Sequence, residues 1–179
     1  MFQALMSAGL AETDILAALP RIKRRFLEIL DAQVDGSGIS LLPGVPETLQ
    51  RLSANESVCL GLATGNWKSG ASWKLGHFDL DSYFAIGAFG DGNRDRIELP
   101  PVAVEAARRH FGQPFAARDV LIVGDTPNDV RCGHHHGIPV LTVTTGYSSR
   151  QDLEEAGADW VFESLPQAGY LEPVLSDLS

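Results

Sequence analysis

Short apolar runs and stretches of helical spacing take turns along most of the chain. The runs SVCLGLAT (57–64), YFAIGAF (83–89), DVLIVGD (119–125), PVLTVTT (139–145) and DWVF (159–162) are too short for helices and read as strands. Apolar positions recurring at helical intervals predict helices near 45–53, 67–76, 100–111, 127–136 and 150–156. Such alternation predicts an α/β fold: a Rossmann-like parallel sheet with helices on both faces, whose ligands sit at the carboxyl ends of the strands.

Residues 1–32 show helical spacing and no strand, with Thr13–Asp14 positioned to cap the second of two short helices. The segments DGSG (35–38) and LPGVP (42–46) then break the pattern. They predict a boundary near residue 42, between a helical segment over 1–41 and an α/β unit over 42–179. No internal repeat or low-complexity tract interrupts either.

The 179 residues are 44% hydrophobic and 21% charged, the balance of one globular domain with a small appendage. A chain of this length hides about 70% of its unfolded surface, so no disulfide or metal staple is needed. Cys59 and Cys132, in an apolar and a helical run, read as small buried hydrophobes in a reducing compartment. With 23 acidic against 14 basic side chains the net charge is -9, which disfavours nucleic acid partners. The one dense basic run, Arg21 to Arg25, reads as the solvated face of a helix. No apolar stretch nears the ~20 residues that span a bilayer, and MFQALMSAGL has neither a basic region nor a small-residue cleavage site. A cytoplasmic protein with no membrane partner is expected.

The chemistry should lie where the strands end. Thr64-Gly65-Asn66 offers a hydroxyl, a close backbone approach and an amide at the mouth of a helix, a cradle for an anion; a turn in which Asn66 caps the helix is the alternative. In VLIVGDTPNDV, Asp125 emerges at a strand tip and Asp129 follows in the first helical turn. Asp125 could serve only as a helix cap. Two carboxylates facing one opening also suit Mg²⁺, a hard cation that takes one or two carboxylates plus a substrate phosphate.

LGLATGN, LPPVAVEAARRHFG, VLIVGDTPNDV and VTTGYSSRQDLEEAGADWVFESL together resemble the haloacid dehalogenase superfamily, in particular its phosphoglycolate phosphatase-like branch, over roughly residues 40–165. The resemblance implies a HAD-like core and Mg²⁺-dependent hydrolysis of a small phosphorylated metabolite. It makes Thr64 the hydroxyl that hydrogen-bonds the transferring phosphoryl group, and Asp125 and Asp129 the acidic motif that anchors Mg²⁺. Residues 1–41 become part of a helical cap, the element that selects substrate in such enzymes.

Two departures from the family pattern follow. The expected third-motif lysine or arginine is replaced in RIELPPVAVEA by Glu98, which would repel phosphate; Arg96, with Arg94 behind it, is the candidate cation, against a plain solvated loop arginine. The family's nucleophile and first acid/base sit in an Asp-x-Asp-Gly-Thr motif on a strand upstream of the cap, and no such motif occurs in residues 1–179. Asp35-Gly36-Ser37 has Gln33 two positions before Asp35 and no strand ahead of it. GDGNRDR (90–96) imitates a calcium loop through Asp91, Asn93 and Asp95, but Arg96 and Val102 stand where glycine and glutamate are needed. Both segments read as turns. A cut fragment or a misplaced start is the simplest account.

The resemblance sets the missing strand mid-sheet, between those ending at Thr64 and Asp125. The gap is expected to close by direct pairing of these two strands or to be filled by another chain, which includes a homodimer. Without the attacking aspartate of a phosphoaspartyl mechanism, turnover is expected to fall by about 10⁴ to 10⁶. The competing readings are a non-catalytic metal- or phosphate-binding remnant and, further off, a dehalogenase. His134, His135 and His136 point about 100° apart on a helix and cannot share an ion, so they read as partners of its C-terminal dipole. Trp67 and Trp73 read as packing, while His77 and His110 have no evident partner.

Overall fold

The computed structural model describes residues 6–33, 39–91 and 95–177. Contacts divide the chain into two units, Met1–Ser40 and Leu41–Ser179. Asp35-Gly36-Ser37 and the Asn93–Arg94 part of the calcium-like segment lie outside the described residues.

In the first unit, helix α1 (Glu12–Gln33) runs 22 residues and carries Pro20 without ending there. Its start corrects the expected cap. The amides of Asp14 and Ile15 both donate to Ala11 O, so the helix opens before Thr13, and Gly9, at φ 85°, makes the preceding turn.

The second unit has the predicted α/β alternation. Its elements are α2 (Val45–Ser53), β1 (Gly61–Thr64), α3 (Lys68–Gly76), β2 (Ile86–Phe89), α4 (Leu99–Phe111), β3 (Ile122–Gly124), α5 (Pro127–His135), β4 (Val140–Val143), α6 (Arg150–Glu155), β5 (Trp160–Phe162) and α7 (Glu172–Asp177). The strands are shorter than the apolar runs that announced them. Asp81–Tyr83 and Ala117–Asp119, at the heads of two runs, are 3₁₀ turns. Helix ends follow local chemistry. Prolines sit in the first turn of α4, where a missing N–H costs nothing, and Gly112 closes it at φ 71°.

Among the described residues all strand pairs are parallel, in two separate pieces: β1 with β2, and β3-β4-β5 in that order. Direct pairing of β1 with β3, one of the two expected ways to close the gap, is absent among the described residues. Instead, a cleft of about 560 Å³ lies between them, lined by Leu60–Ala63 and Leu121–Val123, with Leu99 and Ala103 of α4 beside them. Each piece has its own backing helix: α4 lies on β1 and β2, and α5 on β3 and β4.

Strand β4 is buried on both faces, as the centre of a covered parallel sheet should be. Leu141 and Val143 pack with Leu52, Ala168, Leu171 and Val174 on one side. Val140 and Thr142 point to the other, where a Cβ added at Gly133 of α5 would meet Val140. The buried Thr142 hydroxyl donates to Trp160 O at 3.1 Å. Cys132 is buried and Cys59 half-buried; both are free thiols, and burial raises the pKa of each.

Candidate functional site

Four strand-end loops meet at one end of the second unit. After β1, Thr64 Oγ1 accepts hydrogen bonds from the amide and the side-chain nitrogen of Asn66, both at 3.1 Å. These bonds occupy the oxygen's lone pairs and leave the hydroxyl proton to point elsewhere. The loop is clamped by its neighbour after β2. Gly90 N donates to Asn66 O at 2.9 Å, and a Cβ on Gly90 would fall 2.3 Å from Gly65 O, so only glycine allows the approach. Asp91 accepts from Lys68 N and occupies the start of α3. The sequence had singled out Asp91 only as part of a turn; its carboxylate holds the Thr64 loop from behind.

After β3, Thr126 caps α5 and Asp129 completes a reciprocal capping box. Asp129 Oδ2 accepts from Thr126 Oγ1 at 2.7 Å, Thr126 N at 3.0 Å and Asp125 N at 3.2 Å. Its other oxygen, Oδ1, takes Arg96 Nη2 at 3.2 Å. Gly124 makes room, since a Cβ there would lie 2.6 Å from Asp129 Cβ. The Asp125 carboxylate stands half-buried against Gly146, in the loop after β4, where an added Cβ would fall 2.0 Å from Oδ2. Burial raises the Asp125 pKa and the Asp129 charge adds to the rise, while its own backbone amide and Arg96 pull it down. Gly146 went unnoticed in the sequence, although it follows an apolar strand and the rule of strand ends covers it.

Arg96 links the two loops. It opens a 3₁₀ turn (Arg96–Glu98) whose preceding residue, Asp95, accepts from Ile97 N at 3.1 Å. Its Cδ and Nε would lie 3.7 Å from a Cβ on Gly65, while Nη2 reaches Asp129. Glu98 ends the same turn, makes no side-chain cap and precedes α4. The structure therefore brings Gly65, next to Thr64, to one side of Arg96 and Asp129, beside Asp125, to the other; Arg96 and Asp129 also line the end of the cleft.

The donor set fits a small hard cation. Asp125 and Asp129 are two carboxylates whose mutual repulsion favours a nearby positive charge. Among the described residues no three of His, Cys, Asp and Glu form a metal cage.

The histidines go to separate partners. His134 Nε2 lies 2.9 Å from Asp159 Oδ2, and His136 Nε2 lies 2.7 Å from Ile97 O. His77, expected to lack a partner, stacks on Trp73 and meets the edge of Phe78, and His110 meets Phe111 edge-on. No described helix is long and apolar enough to cross a membrane.

The family profile described as HAD-hyrolase-like matches residues 99–168. The phosphoglycolate phosphatase of Haemophilus influenzae is 32% identical over 127 residues, which cover 71% of this chain and 55% of that protein. That of Synechococcus elongatus is 29% identical over 157 residues, 88% of this chain and 68% of the relative. The chain thus spans little more than half the length of the first of these relatives. Among solved structures, one described as a predicted phosphoglycolate phosphatase from Haemophilus somnus superposes with a TM-score of 0.69 at 24% identity, covering 92% of this chain and 68% of that one. A hydrolase from Pseudomonas syringae gives a TM-score of 0.69 at 22% identity, covering 96% and 76%. Parallel sheets backed by helices, acidic side chains gathered at their carboxyl ends and these likenesses agree: the chain belongs to the haloacid dehalogenase superfamily, on its phosphoglycolate phosphatase-like side.

Proposed function

We propose that the chain carries the metal- and phosphate-binding half of a Mg²⁺-dependent phosphomonoester hydrolase acting on a small phosphorylated metabolite. The observation that carries this reading is Arg96, one guanidinium lying against Gly65 and paired with Asp129. A phosphoryl group between the two loops would meet a hydroxyl proton from Thr64, the amide of Gly65, the second side-chain N–H of Asn66 and the charge of Arg96. Arg96 thereby supplies the cation that Glu98 cannot. Asp125 and Asp129 would hold Mg²⁺. When bound, Mg²⁺ supplies charge neutralisation on the phosphoryl oxygens.

The attacking group belongs, on this reading, to a strand seated between β1 and β3. Both flanking strands run parallel with their carboxyl ends at the Arg96–Asp129 side, so an added strand in the same direction would deliver its last residues there. The cleft also holds Thr48, 4% exposed, whose Oγ1 has no partner among the described residues. A backbone entering the cleft would bring polar groups to it. Residues 1–41 are read as cap, and the setting as cytoplasmic.

Hydrolysis of p-nitrophenyl phosphate by the chain in Mg²⁺, lost in Asp125→Ala, supports the enzyme. A Mg²⁺-dependent rise in melting temperature without turnover supports a binding module instead. Neither response, with the fold intact, rules out both. Fluoride release from a haloacetate would favour a dehalogenase.

A further inference from the structure

Helix α5 carries Asp129 and Cys132 three residues apart on one face, and His136 is its C-cap, just past the last turn. Arg96 runs along that face. Its guanidinium meets Asp129 near the helix start. Midway, its charge opposes the rise that burial imposes on the Cys132 thiol. At the far end, Ile97 O receives His136 Nε2 at 2.7 Å. A carbonyl has no proton to give, so Nε2 carries the hydrogen and donates. The short turn that launches Arg96 is thus pinned to α5 from outside by His136 and braced from within by Asp95.

We propose that His136 is a positioning residue for Arg96: by tying the Ile97 carbonyl to the C-terminal end of α5, it fixes where the arginine stem leaves the backbone and so aims the guanidinium at the gap between Gly65 and Asp129. The role of that gap as a phosphate site rests on the proposed function; the aiming itself does not. Arg96 is half-exposed and has long, free rotamers of its own, so the ion pair with Asp129 holds only its tip while the turn sets where its stem begins.

Arg96→Ala, His136→Ala, His136→Gln and His136→Asn in the full chain test this. Two quantities are read: the Arg96 Nε–H resonance in ¹⁵N-resolved NMR spectra, assigned by its loss in Arg96→Ala, and the affinity for inorganic phosphate in Mg²⁺ by calorimetry. His136→Ala should average the resonance toward that of a free arginine and weaken phosphate about tenfold. His136→Gln, whose amide nitrogen matches Nε2 in reach, should restore both; His136→Asn, which is too short, should not. The Gln and Asn pair carries the test if His136→Ala fails to fold. An Arg96 resonance identical in the parent, His136→Ala and His136→Asn overturns the proposal whether or not phosphate binds. A parent that binds no phosphate, yet releases Arg96 on loss of His136, supports the positioning and overturns only the phosphate reading.

Discussion

Arg96 Nη2 and Asp129 Oδ1 stand 3.2 Å apart, joining the turn before α4 to the first turn of α5 across 33 positions of sequence. The arginine side chain is 47% exposed, so the pair itself contributes no more than about 1 kcal/mol. Its value lies in direction. Arg96→Ala should therefore leave urea stability within about 1 kcal/mol of the parent while phosphate affinity falls by tenfold or more, an interaction with a charged group being worth ~1.5–3 kcal/mol. Parallel loss of stability and affinity would argue that Arg96 is a structural strut only.

Gly146 bears on Asp125 more than on the fold. An added methyl would meet Asp125 Cβ at 2.8 Å, Cγ at 2.7 Å and Oδ2 at 2.0 Å, so the whole carboxylate has to turn away. Gly146→Ala and Asp125→Ala should both lower Mg²⁺ affinity, each on the order of tenfold or more, as calorimetry would measure. Unchanged Mg²⁺ binding in both variants would remove Asp125 from the metal site.

Thr48 gives a test of the open cleft. Its hydroxyl is buried and unpartnered among the described residues, so Thr48→Val replaces an unpaired polar atom with a methyl of similar volume. The variant should be more stable by about 1 kcal/mol in urea denaturation. A loss of that size would show that the hydroxyl has a partner in solution, as a strand seated in the cleft would provide.

His134 and Asp159 tie the end of α5 to the start of β5, and Val140 N donates to the same Asp159 oxygen at 2.8 Å. Burial pushes the Asp159 pKa up, but the hydrogen bonds from His134 and the Val140 amide, with the His134 charge, leave it below the ordinary carboxylate value. A depressed carboxylate adds stability above its unfolded pKa and loses it as pH falls through the folded one. Asp159→Asn should thus cost stability at neutral pH, by about 1 kcal/mol at most because both side chains are 40% exposed. The difference from the parent should vanish as the pH falls below the ordinary carboxylate range. Melting temperatures compared at neutral pH and below the ordinary carboxylate range check the trend, and a gap that persists at the lower pH would contradict it.

Much of the second unit was legible in the order of residues, because helix periodicity and capping are local. Helix α2 falls where its spacing predicted, and α3, α4, α5 and α6 agree to within a residue at each end. Pro100 and Gly112 frame α4 by backbone geometry alone, and Thr126 and Asp129 form a capping box three residues apart. The strands were legible in place but not in length. Tyr83 and Asp119 are as compatible with a turn as with a strand, and only a neighbouring backbone at hydrogen-bond distance separates the two. The first unit was misjudged at its cap, because Gly9 breaks the chain earlier than Thr13 would.

By itself, the sequence determined the α/β alternation, the apolar runs and the acidic pair at Asp125 and Asp129, all of which depend on residues near one another in the chain. Tertiary structure decided the rest. Whether β1 pairs with β3 is a non-local matter, and in the fold the two strands sit in different sheet pieces, backed by α4 and α5. That Arg96 rests on Gly65 and binds Asp129, that Gly146 supports Asp125, and that His136 holds the Ile97 carbonyl are contacts between segments tens of residues apart. Periodicity carries no record of such distances, since they are set by how helices and sheet pieces pack.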